Sequence, residues 1–312
     1  MGNCGNCQPP AIITTNVGMY EFKSTQLIGS GTYGTVHKGQ EIGKQKRNLA
    51  IKCLNKTFTL QEYQHAQRYL KKLQSVYGEN VLTIFDHFYD ENTSKLYLVS
   101  DYYTYGNLND LILDTLKADP LEDLRAAVGY CHQIINGLFD LHSQGILHGK
   151  LTPKNILLQC SRLVLNDYGL GPLVKDSEGQ KRQTFYDAPE LMNHYAELTE
   201  KCDVWSLGII MYLLAYKNNP IKILGKEYIF YNLQEGKCPL LDDLIRKCLV
   251  INPEERISMR QIEEHRFLSL DPQTIEYLPS KWFSAKSQTP TSSHAAYRMF
   301  HQMEINYNFA SM

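Results

Sequence analysis

Near the middle of the chain runs Ile146-Leu147-His148-Gly149-Lys150-Leu151-Thr152-Pro153-Lys154-Asn155-Ile156-Leu157-Leu158, a polar and charged stretch held between apolar ends. On its N-terminal side, Ala126–Ser143 carries Val128, Cys131, Ile134, Ile135, Leu138 and Leu141 at a ~3.6-residue period, which predicts a helix with one apolar face. On its C-terminal side come Leu165-Asn166-Asp167-Tyr168-Gly169-Leu170, Ala188-Pro189-Glu190 and Asp203-Val204-Trp205-Ser206-Leu207-Gly208. Farther upstream, short β-branched and aromatic segments predict strands at Tyr20–Ser30, Gly34–Gln40, Leu49–Leu54, Val81–Tyr89 and Lys95–Tyr102. A helix over Thr59–Leu73 interrupts them. Strands first and helices after predict an α+β chain with a β-rich first lobe and a helical second lobe. The expected organisation is a flexible segment at 1–17, a domain at 18–270 (first lobe to about 101, second from about 102) and a tail at 271–312.

The 312 residues include 32 Lys and Arg against 33 Asp and Glu, a net charge of −1. That balance argues against a dedicated nucleic-acid binder. Hydrophobic residues at 43% and charged residues at 21% exclude wholesale disorder. No apolar run reaches the ~18 residues of a membrane span. Val204–Tyr216, broken by Ser206 and Gly208, reads as a buried helix. The N-terminus shows no charged segment followed by an apolar one, so no secretory signal is expected. The eight cysteines are scattered and expected to be free thiols, with Cys53, Cys131, Cys160, Cys202, Cys238 and Cys248 in or near the core.

Gly29-Ser30-Gly31-Thr32-Tyr33-Gly34-Thr35-Val36 lies between two predicted strands. Glycines there let backbone N–H groups approach phosphates. A dinucleotide fold would open a helix after the third glycine, whereas Val36-His37-Lys38 continues as a strand. The next strand, Leu49-Ala50-Ile51-Lys52, carries a single Lys.

Taken together, these motifs resemble the protein kinase superfamily, of Ser/Thr type, in order and spacing from about Tyr20 to Leu268. The central stretch resembles the catalytic loop, and Asn166-Asp167-Tyr168-Gly169 the DFG segment. Ala188-Pro189-Glu190 matches APE, and Asn252-Pro253-Glu254-Glu255-Arg256 the late segment whose Arg pairs with that Glu. The resemblance implies a two-lobed fold with ATP in the cleft. Gly29, Gly31 and Gly34 would cover the phosphates and Lys52 would contact them. Val36, Ala50 and Leu157 would sandwich adenine. Ser100 would be the gatekeeper, with Asp101 to Tyr103 as the hinge. Asp167 and Asn155 would be Mg²⁺ ligands, and Glu190 and Arg256 a structural pair.

The departures fall on the chemistry. The family's proton-accepting Asp is Lys150, and an ammonium has donors only. The Lys that usually follows two residues later is Thr152, and the Thr five residues before Ala188 is Gln183. Gly149 replaces the Arg that receives an activation-loop phosphate. The helix Glu that pairs with the strand Lys aligns with Ala66, with Glu62 four residues earlier as a substitute. A pseudokinase that binds ATP and acts as a scaffold or allosteric partner is the leading expectation. The alternatives are an active atypical Ser/Thr kinase and transfer to another acceptor. Lys150 is expected to clamp a phosphate, to pair with Asp167 or to stand solvated, and nucleotide binding is expected to depend only weakly on Mg²⁺.

Met1-Gly2-Asn3-Cys4-Gly5-Asn6-Cys7 resembles an acylation signal, with Gly2 for myristate and Cys4 or Cys7 for palmitate. The implied location is the cytoplasm, with a membrane surface as a second address. Ser177, Thr184 and Tyr186 lie where kinases are phosphorylated. Lys44-Gln45-Lys46-Arg47 reads as a solvated turn. Aromatic residues of the tail, such as Trp282 and Phe283, are candidates for docking on the domain or a partner.

Overall fold

A computed structural model describes residues 11–14, 19–42, 47–114, 120–174, 184–192, 197–224, 227–230 and 238–273. The first lobe is a six-stranded antiparallel sheet of β1 (Ala11–Thr14), β2 (Met19–Ser30), β3 (Gly34–Glu41), β4 (Asn48–Thr57), β5 (Ile84–Asp90) and β6 (Lys95–Asp101). Its spatial order is β1-β2-β3-β4-β6-β5. One face buries Tyr20, Phe22, Leu49, Ile51, Phe88, Tyr97 and Val99. Phe88 and Tyr97 are register partners whose rings stack at 4.7 Å, an aromatic cross-strand pair. The opposite parity of the same strands, including Leu54, Leu96 and Leu98, joins the core that continues into the second lobe.

Helix α1 (Leu60–Gln74) packs against β5 and is started by a reciprocal box. Thr59 Oγ1 accepts from the Glu62 N–H, and Glu62 Oε2 accepts from the Thr59 N–H at 2.8 Å. Lys71 and Lys72 in the last turn suit the negative end of the helix.

The second lobe contains α2 (Leu108–Asp114), α3 (Pro120–Ser143), the hairpin β7 (Ile156–Gln159) and β8 (Arg162–Leu165), and α4 (Glu200–Tyr216). The hairpin β9 (Ile221–Leu224) and β10 (Glu227–Phe230), α5 (Pro239–Cys248) and α6 (Met259–Glu263) complete it. The predicted apolar face of α3 is wholly buried, from Val128 to Leu141. Each such aliphatic side chain contributes roughly 1.5–3 kcal/mol. Every residue of α4 from Cys202 onward is buried, as expected for Val204–Tyr216. No described helix is long and apolar enough to cross a membrane.

Two expectations need correction. Residues 11–14, expected within the flexible segment, form β1, because the β-branched run Ile12-Ile13-Thr14 finds antiparallel partners from Glu21 to Met19 along β2. Cys160 is not in the core. It is exposed in the β7–β8 turn with φ of 55°, while Cys131, Cys202, Cys238 and Cys248 are buried free thiols. The acylation residues Gly2, Cys4 and Cys7, together with Lys44, Lys46, Ser177, Gln183 and the aromatic tail, lie outside the described residues.

Candidate active site

The upper wall of the cleft is the β2–β3 hairpin. Gly29 faces Val36 in register, and the Gly31 N–H donates to Gly34 O at 2.9 Å. A Cβ on Gly34 would meet Cys53 O at 2.1 Å, so only glycine lets β3 lie this close to β4. Gly29 and Gly31 have open space around them. Tyr33, at the tip, turns inward and is buried. Burial pushes its phenol well above the usual range, and the nearby Asp167 carboxylate adds to the effect.

Val36, Ala50 and Leu157 are half-buried apolar residues. Leu157 is exposed more than its neighbours Ile156 and Leu158, as strand alternation requires. Ser100 is buried and pairs in register with Ala50. The Asp101 carboxylate accepts from Arg47, whose guanidinium also lies 5.0 Å from the Phe85 ring centroid. Lys38 stands 5.1 Å above the Tyr102 ring. Tyr103 packs against the core, and burial raises its phenol.

The catalytic-loop backbone is held from below by α4. Asp203 accepts from the His148 N–H and the Gly149 N–H, each at 2.8 Å, and lies 2.8 Å from His142 Nε2. Burial holds the His148 ring below its ordinary pKa. Gly149 adopts φ of 74°, where a side chain would be strained. Asn155 Nδ2 donates to Lys150 O at 2.8 Å, which leaves its Oδ1 as the remaining acceptor.

Lys150 pairs with Asp187, not with Asp167. Its Nζ donates to both Asp187 oxygens at 2.9 Å, and both side chains are about five-sixths buried. Asp187 Oδ2 also accepts from the Thr184 N–H at 2.7 Å and the Thr184 hydroxyl at 3.0 Å. The expectations of a Lys150–Asp167 contact and of a solvated Lys150 are therefore corrected: the carboxylate just before Ala188 outcompetes both. Tyr186 supplies its carbonyl to the Ser206 hydroxyl.

Asp167 is engaged by Lys52, whose Nζ donates to both carboxylate oxygens at 2.6 Å. Side-chain exposure is 11% for Lys52 and 8% for Asp167. Glu62 does not serve Lys52. It is spent on the Thr59 cap and pairs with Lys56 at 3.0 Å, and these bonds hold its carboxyl down at about 2. Ala66 packs against the core. Helix α1 is tied to the DYG segment by the Tyr69 hydroxyl, which donates to Gly169 O at 2.8 Å. Tyr168 is buried, with its hydroxyl on Leu82 O at 2.6 Å.

A divalent ion at Asp167 and Asn155 would have to share the carboxylate with the Lys52 ammonium, a like charge beside it, so as arranged this donor set fits the metal poorly. Among the described residues, no cluster of three or more His, Cys, Asp or Glu is disposed to bind one. Below the cleft, Arg256 grips Glu190 in a two-point pair at 2.7 and 2.9 Å. Arg256 is fully buried, donates to Val250 O and Lys201 O, and stacks on Trp205.

Residues 22–268 match the protein kinase domain family. The chain belongs to that family. This kinase domain is 30% identical over 277 residues to the serine/threonine-protein kinase PKH2 of Saccharomyces cerevisiae, covering 80% of this chain and 25% of that protein. It is 31% identical over 260 residues to NUAK family SNF1-like kinase 2 of Rattus norvegicus, covering 79% and 39%. It is 27% identical over 277 residues to calcium-dependent protein kinase 4 of Plasmodium falciparum, covering 80% and 50%. The chain thus spans a quarter to a half of the length of these relatives.

The motif reading omitted Asp187 and Tyr33 from the site. For Asp187 the signal was present: an acidic residue directly before Ala188, opposite in sign to the unexpected Lys150.

Proposed function

We propose that this kinase domain binds an adenine nucleotide between its lobes and acts in signalling as a pseudokinase, a nucleotide-regulated scaffold or allosteric partner. The observation that carries this reading is Lys150. The position assigned to the proton acceptor holds an ammonium, and Asp187 fixes it in place. The nucleotide reading is supported by the glycine hairpin, by Lys52 and by the half-buried apolar Val36, Ala50 and Leu157. Phosphate incorporation from labelled ATP, into a generic Ser/Thr substrate and into the protein itself, tests it. Transfer should lie at most marginally above background.

A second reading, an active atypical Ser/Thr kinase, is favoured by the retention of Lys52, Asn155 and Asp167 around one cleft. Phosphoryl transfer depends mostly on positioning and charge. Turnover at rates ordinary for kinases, abolished by Asp167→Ala, would establish that alternative. The N-terminal Gly2, Cys4 and Cys7 support a further proposal of acyl attachment to a membrane surface. Mass spectrometry of the cellular protein should find myristate on Gly2, and an unmodified N-terminus with wholly soluble fractionation would remove it.

A further inference from the structure

Lys52 and Asp167 form a pair that leaves the cleft no free carboxylate at the position where the family's metal would sit. Helix α1 offers Lys52 no alternative, because Ala66 stands at the aligned position and Glu62 is committed to Thr59 and Lys56. Among the described residues, Asp167 is the one carboxylate that pairs with Lys52. We infer that nucleotide binding here is independent of divalent metal, with the Lys52 ammonium bridging the Asp167 carboxylate and the nucleotide's phosphates. The inference rests on the nucleotide-binding reading and specifies how that same site meets the phosphates.

Three features support it. An ammonium has three donors, and Asp167 takes two, so one N–H remains for a phosphate oxygen. A metal ion on the same carboxylate would lie against the ammonium as a like charge. Asn155 cannot compensate alone, since its amide nitrogen is held by Lys150 O and it contributes one neutral oxygen. In this arrangement Lys52 does for the phosphates what a metal bridge does elsewhere, with the Gly29–Gly34 hairpin supplying further N–H groups above.

Isothermal titration of the full chain with ATP, once with Mg²⁺ and once with EDTA, tests this. Affinities should agree within about threefold, and Lys52→Met should weaken binding in EDTA by about tenfold or more, the loss of one charge-assisted contact. Lys52→Gln, which keeps a hydrogen-bond donor without the charge, is the second variant should Lys52→Met fail to fold, and it should weaken binding in EDTA by a similar factor. Binding that appears only with Mg²⁺ overturns the inference and leaves the nucleotide reading intact. Metal-free binding that Lys52→Met leaves unchanged also overturns it. No binding in either buffer overturns both.

Discussion

Two cation–carboxylate pairs lie at the end of the activation segment, their carboxylates three residues apart in sequence, and they stand differently to the family pattern. Glu190–Arg256 is the pair the family resemblance implies. It is two-pronged, its guanidinium is fully buried against Trp205, and backbone carbonyls take the remaining donors. Lys150–Asp187 is a pair the resemblance does not imply. It joins the catalytic loop to the same segment with the sign of the loop residue reversed. Below, Asp203 still holds the loop backbone through His148 and Gly149. The loop backbone is therefore held as the family pattern implies, while the position aligned with the proton acceptor carries a cation with its own structural partner.

The largest stability effect should come from the Glu190–Arg256 pair. Arg256→Ala leaves Glu190 half-buried without its cation and should cost about 3–5 kcal/mol in chemical denaturation, the range for a broken buried pair. A loss below 1 kcal/mol would mean that the pair is not structural. Burial pushes the Glu190 carboxyl up, but Arg256 more than offsets this, so the carboxyl is held below its ordinary range. Its contribution is thus present above the ordinary carboxylate range and fades as the pH falls below it. Glu190→Gln should flatten that acid limb.

The Lys150–Asp187 pair should show a smaller effect. Lys150→Met and Asp187→Ala should each destabilise, and the double-mutant cycle should return a coupling of about 1–3 kcal/mol. Additive losses would reduce Lys150–Asp187 to a chance proximity.

The smallest effect concerns Glu62. Thr59→Ala should cost about 1 kcal/mol through the cap. Glu62→Gln should weaken the start of α1 and leave ATP affinity unchanged, since Glu62 faces Thr59 and Lys56. Its carboxyl is depressed from 4.5 to about 2, so the cap's contribution is complete above pH 4.5 and is lost as the pH falls toward 2. A tenfold fall in ATP affinity in Glu62→Gln would restore Glu62 as the partner of Lys52.

Much of this was readable from sequence, for identifiable reasons. The α3 face, the buried α4 and the strands of the first lobe follow from periodicities that burial enforces. Glu190 and Arg256 followed from motif positions. Thr59-x-x-Glu62 is itself a capping pattern, which commits Glu62 to the start of α1. The charge of Asp187 was legible, but neither its contact with Lys150 nor the inward turn of Tyr33 could be read this way. A long or flexible side chain chooses among carboxylates that only tertiary folding brings near, and Asp187 lies 37 residues from Lys150. β1 was missed because four residues gain strand character only from pairing with β2.

Lys150, locked to Asp187, stands at the position aligned with the family's proton acceptor. Restoring an acceptor by Lys150→Asp alone would set two carboxylates together, so the charges must be exchanged as a pair. The decisive measurement compares phosphate incorporation by wild type with that by Lys150→Asp/Asp187→Lys, at matched folding. A general base is worth about 10²–10⁴-fold. Background-level transfer is expected from wild type and a small gain from the exchanged variant, rising to about 10²-fold or more when Thr152→Lys and Gln183→Thr are added. Wild-type transfer at rates ordinary for kinases, lost rather than gained on exchange, would contradict the pseudokinase reading.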